Sequence, residues 1–174
     1  MKKLLAFFIL CLFLLALSVH RADLSYELGF SPKGESLKIV LNGISDAKES
    51  ILVAAYSFTS KPVSESLLEA HKRGVRVAVV ADHKGNSDRY TAVNFLANHG
   101  IPVRLNGNYA IMHHKFMVID GTAIQLGSFN YSSAAVDKNA ENVLLLKGVP
   151  DIATRYAEEW NRLWGEGMDV KGNY

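Results

Sequence analysis

The sequence has one cysteine among 174 residues, Cys11, and that residue lies inside an apolar N-terminal run. The rest of the chain therefore cannot form an internal disulfide, a zinc–thiolate site or a thiol nucleophile. Neither sign of charge dominates, since 19 lysines and arginines face 17 aspartates and glutamates. Composition therefore gives no sign of the strongly basic surface typical of nucleic-acid-binding proteins. The chemistry of this chain must come from a local group of residues.

The N-terminus has the pattern of a secretory signal peptide. Two lysines precede an uninterrupted apolar run from Leu4 to Leu17, and small residues follow. The run is shorter than the roughly 20 apolar residues that span a bilayer. We expect residues 1–22 to be a signal peptide cleaved after Ser18 or Ala22, with retention as an anchor as the alternative. The protein would then be exported, to the bacterial periplasm or the medium.

The chain after this leader is nearly neutral. Residues 1–22 carry three basic and no acidic side chains, so 16 basic and 17 acidic side chains remain and the net charge is −1. Any contact with a polyanion must therefore use a local patch. The remaining length fits one domain with a sizeable core, residues 23–174. We expect no stable membrane association once the leader is cleaved.

Apolar periodicity predicts an alternation of strands and helices. Short apolar runs typical of strands occupy residues 24–30, 51–58, 75–81, 101–105, 116–119, 122–126 and 141–146. Helical spacing of apolar residues occurs over 35–49, 61–71, 88–99 and 149–164, and residues 131–140 form a polar connection. The strand–helix–strand unit of residues 51–81 predicts a parallel crossover. The fold class is thus α/β, a mixed β-sheet sandwiched between helices (α/β/α).

The dipeptide Asp120-Gly121 favours a tight hairpin turn between two apolar runs. A turn centred on it places Ile119 opposite Thr122. Counting outward places Lys115 opposite Leu126, and His113 opposite Ser128.

Alternation along the first strand puts His113 and Lys115 on one face and His114 on the other. Ser128 and Asn130 join the first face if the second strand stays extended. An imidazole, an ammonium, a hydroxyl and an amide would then surround one spot, which suits a phosphate group. His113-His114 with Asp120 could suggest a metal site, but adjacent strand residues point apart, so we expect no metal. Asp120 sits at the turn, where a structural role is more natural.

These residues resemble a known signature. His113-x-Lys115, Asp120 and Gly127-Ser128-x-Asn130 match the HKD motif of the phospholipase D superfamily at every fixed position. The length, the leader and the single motif are most similar to the small bacterial Nuc-type endonucleases. The resemblance implies a phospholipase D-like fold, catalysis without a metal or other cofactor, and a catalytic set that includes Asp120. It also implies that Glu141, just beyond the motif, hydrogen-bonds the nucleophilic histidine.

The resemblance further implies a two-step phosphoryl transfer, which needs a nucleophile on one side of phosphorus and a proton donor on the other. One imidazole cannot occupy both places, and the sequence has only one His-x-Lys with the required spacing. We therefore expect a homodimer whose active site lies at the two-fold interface. One His113 would be the nucleophile and the partner's His113 the general acid, while Lys115, Ser128 and Asn130 bind the substrate phosphate.

The expected activity is non-specific endonucleolytic hydrolysis of DNA, with RNA as a further substrate, through a phosphohistidine intermediate. Nothing in the sequence resembles a groove-reading element, so no base preference is expected. The nearer alternative is a lipid phosphodiesterase of the phospholipase D type, for example a cardiolipin hydrolase. The more distant alternative is an exported module that binds phosphate without turnover.

Overall fold

The computed structural model describes residues 23–88 and 91–172, and these residues form an eight-stranded mixed sheet with helices on both faces. The predicted α/β/α sandwich is confirmed. The predicted signal peptide, residues 1–22, lies outside the described residues.

The elements follow one another in the predicted alternation. The strands are β1 (Ser25–Ser31), β2 (Ser50–Ala55), β3 (Arg76–Asp82), β4 (Val103–Asn106), β5 (Lys115–Ile119), β6 (Ala123–Gly127), β7 (Glu141–Lys147) and β8 (Met168–Asp169). The helices are α1 (Glu35–Asp46), α2 (Lys61–Lys72), α3 (Ala92–Asn98), α4 (Ser133–Asp137) and α5 (Pro150–Glu166), with a 3₁₀ turn at Lys84–Asn86. No helix in this described part is long and apolar enough to cross a bilayer.

The sheet order is β1-β7-β6-β5-β2-β3-β4-β8. Strands β2, β3 and β4 are parallel, which confirms the predicted crossover between β2 and β3, and the other pairings are antiparallel. One face packs on helices α1 to α3, with Val53, Met117 and Leu145 in that core. The other face packs on α5, where Phe116 and Val118 meet Trp160. Consecutive residues of β5 therefore point into different cores.

Two elements were not predicted. The polar connection 131–140 contains the short helix α4, which begins where the hydroxyl of Ser132 accepts a hydrogen bond from the backbone N–H of Ala135 at 3.3 Å. Strand β8 is only two residues long and pairs with β4. Both elements are too short to produce a periodic pattern.

The hairpin prediction is confirmed, but its register is wrong by one residue. Ile119 pairs with Ala123, not Thr122, and Phe116 pairs with Leu126 in place of Lys115. The reason lies in the turn: Asp120 and Gly121 both have positive φ (51° and 61°), and Thr122 donates its N–H to Ile119 without joining the ladder. The loop thus takes three residues. Continuing the observed count puts Ser128 level with His114, so the predicted His113–Ser128 pairing is also wrong.

Candidate active site

The motif residues meet at one edge of the sheet. Strand β5 lies between β6 and β2, and Lys115 pairs with Ala55 where β2 ends. The carboxyl ends of β2, β3 and β6 therefore come together with the start of β5 and of β7. In open α/β sheets this is where ligands bind, beyond the carboxyl ends of the parallel strands.

Lys115 and Glu141 point to the same side of the sheet. Lys115 alternates with the core residue Met117, and Glu141 alternates with Val143 of the same core. Burial lowers the pKa of the Lys115 ammonium below its usual value of 10.5, and the nearby Glu141 carboxylate partly offsets this lowering. The site thus holds a half-buried cation with a carboxylate beside it.

The hydroxyl of Ser128 is fixed by its neighbours. It donates to Glu141 Oε2 at 2.6 Å and accepts from the backbone N–H of Asn142 at 3.1 Å. Glycine is required at position 127 for the backbone to come this close to Asn142, because its φ is 150° and a Cβ there would collide with the carbonyl oxygen of Asn142. Asn139 donates to the other Glu141 oxygen at 2.9 Å. Within the described residues these two contacts occupy the Glu141 carboxylate, and His113 is not among its partners.

The segment after Ser128 is held against the loop that follows β2. The carbonyl of Tyr131 accepts the backbone N–H groups of Thr59 and Ser60, each at 2.8 Å. The Tyr131 hydroxyl is buried and donates to Gln125 at 2.7 Å, and burial raises the pKa of that phenol. Between these anchors, Asn130 is half-buried, and its Oδ1 atom accepts no hydrogen bond from the described residues.

His113 is exposed and contacts Tyr56, a residue of the predicted strand 51–58 that lies just after β2. The two rings meet edge to face with centroids 4.6 Å apart. Lys115 Nζ donates to the carbonyl of His113 at 2.7 Å and lies 5.1 Å from the centre of the Tyr56 ring. Tyr56 thus supports both the imidazole and the ammonium. The signal that could have revealed it is its position immediately after a parallel strand.

His114 points away from this group, as the alternation of β5 predicts. Its Nε2 lies 3.3 Å from Glu159 of helix α5, and its ring packs against Phe116 with centroids 5.6 Å apart. The predicted placement of His114 on the face opposite His113 and Lys115 is confirmed.

A buried polar centre holds the loop that carries His113. Asp82, at the end of β3, is only 2% exposed. Its two carboxylate oxygens accept the backbone N–H groups of Met112 and Gly85, each at 2.7 Å. Beside it, buried Asn86 donates to the carbonyls of Tyr56 and Asp82, at 2.6 and 2.9 Å. Asp82 therefore fixes the residue before His113, and Asn86 fixes the residue whose ring supports it. Both residues lie between the predicted strand 75–81 and the predicted helix 88–99, where the sequence predicts no site residue.

Asp120 lies at the other end of β5. Its carboxylate accepts the backbone N–H groups of Lys48, Glu49 and Ser50 at 2.9, 2.7 and 2.9 Å. Five residues of strand span about 17 Å, so Asp120 is remote from the cluster around Lys115. It clamps the loop between α1 and β2, which agrees with the structural role expected from its place in the turn.

The structure thus brings Lys115, Ser128 and Glu141 into direct or electrostatic contact, with His113 beside Lys115 and Asn130 two residues beyond Ser128 in the chain. Together they offer an exposed imidazole, a cation and hydrogen-bonding groups around one solvent-facing spot. In the described part of the chain, no group of three or more histidine, cysteine, aspartate or glutamate side chains is arranged to hold a metal ion.

A family model described as "Cardiolipin synthase, PLD-like domain" matches residues 40–164. The fold and the site define the same class, and the chain belongs to the phospholipase D superfamily. Among solved structures it is similar to Nuc, a phospholipase D family member from Salmonella typhimurium, with 39% identity and a TM-score of 0.84 over 86% of this chain and 100% of that one. NucT from Helicobacter pylori is 25% identical, with a TM-score of 0.77 over 85% of this chain and all of that one.

Curated relatives carry lipid-related names. The chain is 31% identical to the mitochondrial cardiolipin hydrolase of Chlamydomonas reinhardtii over 78% of its length and 60% of that protein. It is 30% identical to a phospholipase D of Rickettsia conorii over 75% of its length and 65% of the relative. The chain therefore spans less than two thirds of the length of these curated relatives.

Proposed function

We propose that this protein is a phosphodiesterase that acts as a non-specific endonuclease on DNA, and on RNA as well, without a metal ion. The observation that carries the proposal is the clustering of Lys115, Ser128 and Glu141 beside the exposed imidazole of His113. The likeness to Nuc, at 39% identity over the whole of that chain, supports a nuclease of the Nuc type.

In the proposed reaction an imidazole nitrogen of His113 attacks phosphorus, and the bond from phosphorus to the leaving oxygen breaks. The partner's His113, in its protonated form, gives its proton to that oxygen. The same imidazole then takes a proton from water, whose oxygen attacks the phosphohistidine and releases His113. Lys115, Ser128 and Asn130 stabilise the charge that develops on the non-bridging oxygens, a role that divalent ions have in metallonucleases.

The proposed roles of Glu141 and Asp120 differ from those of the groups that touch substrate. Glu141 positions Ser128 through the 2.6 Å hydrogen bond and supports the charge on Lys115. Asp120 stabilises the fold through its three backbone contacts. The second imidazole must come from a second copy of the chain, so we propose a homodimer with one composite site on its two-fold axis. We also propose that the leader directs export to the periplasm or the medium.

A lipid phosphodiesterase is the second candidate, because the curated relatives are named cardiolipin hydrolase and phospholipase D. The same phosphoryl-transfer chemistry serves both substrates. The two candidates therefore differ in which substrate binds at the site, a nucleic acid or a lipid.

The test compares cleavage of plasmid DNA, RNA and cardiolipin vesicles by the purified protein, with and without excess EDTA. The variants are His113→Ala and, as a matched control from the same loop, His114→Ala, whose side chain faces helix α5. We expect EDTA-resistant cutting of DNA that His113→Ala abolishes and His114→Ala leaves within a few-fold of wild type.

Hydrolysis of cardiolipin with no cutting of nucleic acid would establish the lipid alternative. Nucleic-acid cutting that EDTA stops would contradict the metal-independent mechanism. Absence of turnover on all three substrates would support a phosphate-binding module.

A further inference from the structure

The loop of residues 107–114 joins β4 to β5 along the edge of the sheet that holds the candidate active site. It crosses the ends of β3 and β2, because these strands lie between β4 and β5 in the sheet. The loop carries Tyr109 and, four residues later, His113. Four residues span at most about 14 Å, so the backbones at the two positions are no further apart than that. A ligand bound at Tyr109 would therefore lie close to a substrate at His113.

Tyr109 is exposed although its hydroxyl is occupied. The hydroxyl donates to Glu166 of helix α5 at 2.8 Å and accepts from Arg162. The Arg162 guanidinium lies 5.6 Å from the centre of the tyrosine ring. The residue nevertheless exposes 38% of its surface. The surface that remains for a ligand is thus the aromatic ring, which is held in place against helix α5.

The backbone on both sides of Tyr109 is also fixed. Buried Asn106 donates to Glu166 at 3.1 Å and accepts the backbone N–H of Asn108 at 3.0 Å. Further along the loop, Asp82 accepts the backbone N–H of Met112 at 2.7 Å. A ring on a loop fixed in this way loses little conformational freedom when a flat ligand stacks on it.

Lys84 provides a cation between Tyr109 and His113. It follows β3, and its Nζ atom donates to the carbonyl of Ala110 at 3.3 Å. Lys84 is exposed, and no carboxylate among the described residues pairs with it. Arg104, in contrast, is paired with a carboxylate. The Lys84 ammonium can therefore bind a phosphate without first losing an ion pair.

We infer that Lys84 and Tyr109 form a second binding site for a nucleotide of an unpaired strand, a few positions from the scissile phosphate. We refer to these two residues as the edge subsite. Lys84 contacts a phosphate of the strand, and Tyr109 stacks on one of its bases. The inference rests on the proposed function, whose substrate it specifies as a nucleic acid with unpaired bases.

A stacking ring selects for unpaired bases. In a duplex the neighbouring base pairs cover both faces of each base, whereas an unpaired base can be splayed out and stacked on an aromatic side chain. Stacking tolerates every base, because each has a π face, so the edge subsite is compatible with cutting without base preference. A cation on the backbone together with an aromatic ring under a base is the general arrangement in proteins that bind single strands.

An acyl chain fits this part of the edge less well than a base. Tyr109 and Ile111 are the large apolar side chains that the loop exposes, and they are 38 and 46% exposed. Asn108 and Arg162, beside Tyr109, are polar and charged. An apolar ligand binds to contiguous apolar surface, which two separate side chains do not provide. The chemistry of the loop therefore favours a planar base.

The test measures binding of a fluorescein-labelled oligothymidylate by fluorescence anisotropy at several salt concentrations. All proteins carry His113→Ala, so that the oligonucleotide is not cleaved. The variants are Tyr109→Leu, Tyr109→Phe and Lys84→Ala. The control is Lys72→Ala, which removes the same charge from an exposed position at the end of helix α2, at the opposite edge of the sheet. Circular dichroism verifies that each variant is folded, which is the expected result for exposed positions.

We expect Tyr109→Leu to weaken binding about 5- to 100-fold, the effect of losing one stacked base. Tyr109→Phe keeps the ring and should bind nearly as tightly as the parent, although it loses the hydroxyl contact with Glu166. Lys84→Ala should reduce the slope of log Kd against log salt concentration by about 0.7, the value for one phosphate contact with a single strand. Lys72→Ala should keep the slope of the parent.

A second readout uses proteins that retain His113. There, Tyr109→Leu should raise KM for single-stranded DNA with little change in kcat, and the increase should be larger than for duplex DNA of the same sequence. An equal loss of kcat on both substrates would overturn the inference, because it would show that Tyr109 acts by holding the His113 loop.

The binding results separate the edge subsite from the proposed function. Parent affinity in Tyr109→Leu would overturn the inference, whereas DNA cutting that depends on His113 would still support the proposed function. Equal losses in Tyr109→Phe and Tyr109→Leu would also overturn it, because they would assign the effect to the hydroxyl. Since the anisotropy assay needs no turnover, binding that depends on Tyr109 in a protein that cuts no nucleic acid would contradict the proposed function and keep the edge subsite.

Discussion

Asp120 belongs to the motif by sequence, yet its contacts predict that it contributes to stability and not to chemistry. Its carboxylate accepts three backbone N–H groups of residues 48–50, some 70 positions earlier in the chain. A hydrogen bond to a charged group contributes about 1.5–3 kcal/mol when buried. Asp120 is half-buried, so about 1 kcal/mol for each contact is the appropriate scale, and Asp120→Ala should lower the free energy of unfolding by about 3 kcal/mol.

For a chain of this size each kcal/mol shifts the midpoint of thermal unfolding by about 2–4 °C, so the expected decrease in Tm is about 6–12 °C. Asp120→Asn should lose roughly half as much, because the amide oxygen still accepts and asparagine tolerates the positive φ of this position. The measurements are thermal unfolding by circular dichroism and kcat at 20 °C, where the variants remain folded.

The contrasting variant is His113→Ala, which should keep the wild-type Tm and lose turnover, since its side chain is exposed. Asp120→Ala should show the reverse pattern. If Asp120→Ala unfolded within 2 °C of wild type (well below the expected shift) and lost turnover as completely as His113→Ala, the separation of the two roles would be refuted.

Three further results are expected at the site. Asp82→Asn leaves one of two buried backbone N–H groups, those of Gly85 and Met112, facing an amide donor. We therefore expect kcat to fall about 10- to 100-fold and hydrogen exchange of the Met112 amide to accelerate. Unchanged hydrogen exchange would contradict the positioning role of Asp82. Glu141→Gln removes the carboxylate that raises the pKa of Lys115, so the alkaline limb of kcat/KM should move to lower pH than in wild type, and movement to higher pH would contradict the electrostatic account. Tyr56→Leu removes the ring beside His113 and Lys115, so turnover should fall several-fold with the fold intact by circular dichroism; unchanged turnover would show that the ring is dispensable.

Local chemistry accounts for the parts of this fold that the sequence predicts. Apolar periodicity marks the strands and most helices, and Asp120-Gly121 marks the hairpin. The register could not be obtained in this way, because it depends on whether Thr122 joins the ladder or completes the turn. The conformation of this turn is linked to the hydrogen bonds that the Asp120 carboxylate accepts from the backbone of residues 48–50, which are distant from it in the chain.

The site also combines residues that a local motif predicts with residues that only distant contacts bring in. The motif itself points to His113, Lys115, Ser128 and Asn130. No local pattern predicts the contacts of Tyr56 and Asp82, because these contacts exist only once β5 enters the sheet beside β2 and the loop before it lies over the end of β3. Sheet order is set by packing across the whole domain, which no local pattern records.

The one-residue shift has a consequence for how the site is built. If His113 paired with Ser128, the regular strand pairing alone would place the Ser128 hydroxyl beside the proposed nucleophile. In the observed register Ser128 is instead level with His114, whose side chain packs toward helix α5. Ser128 reaches the Lys115 face through the backbone at Gly127 and the hydrogen bond to Glu141. The hydroxyl therefore depends on β7 for its position, because both its acceptor Glu141 and its backbone donor Asn142 belong to that strand.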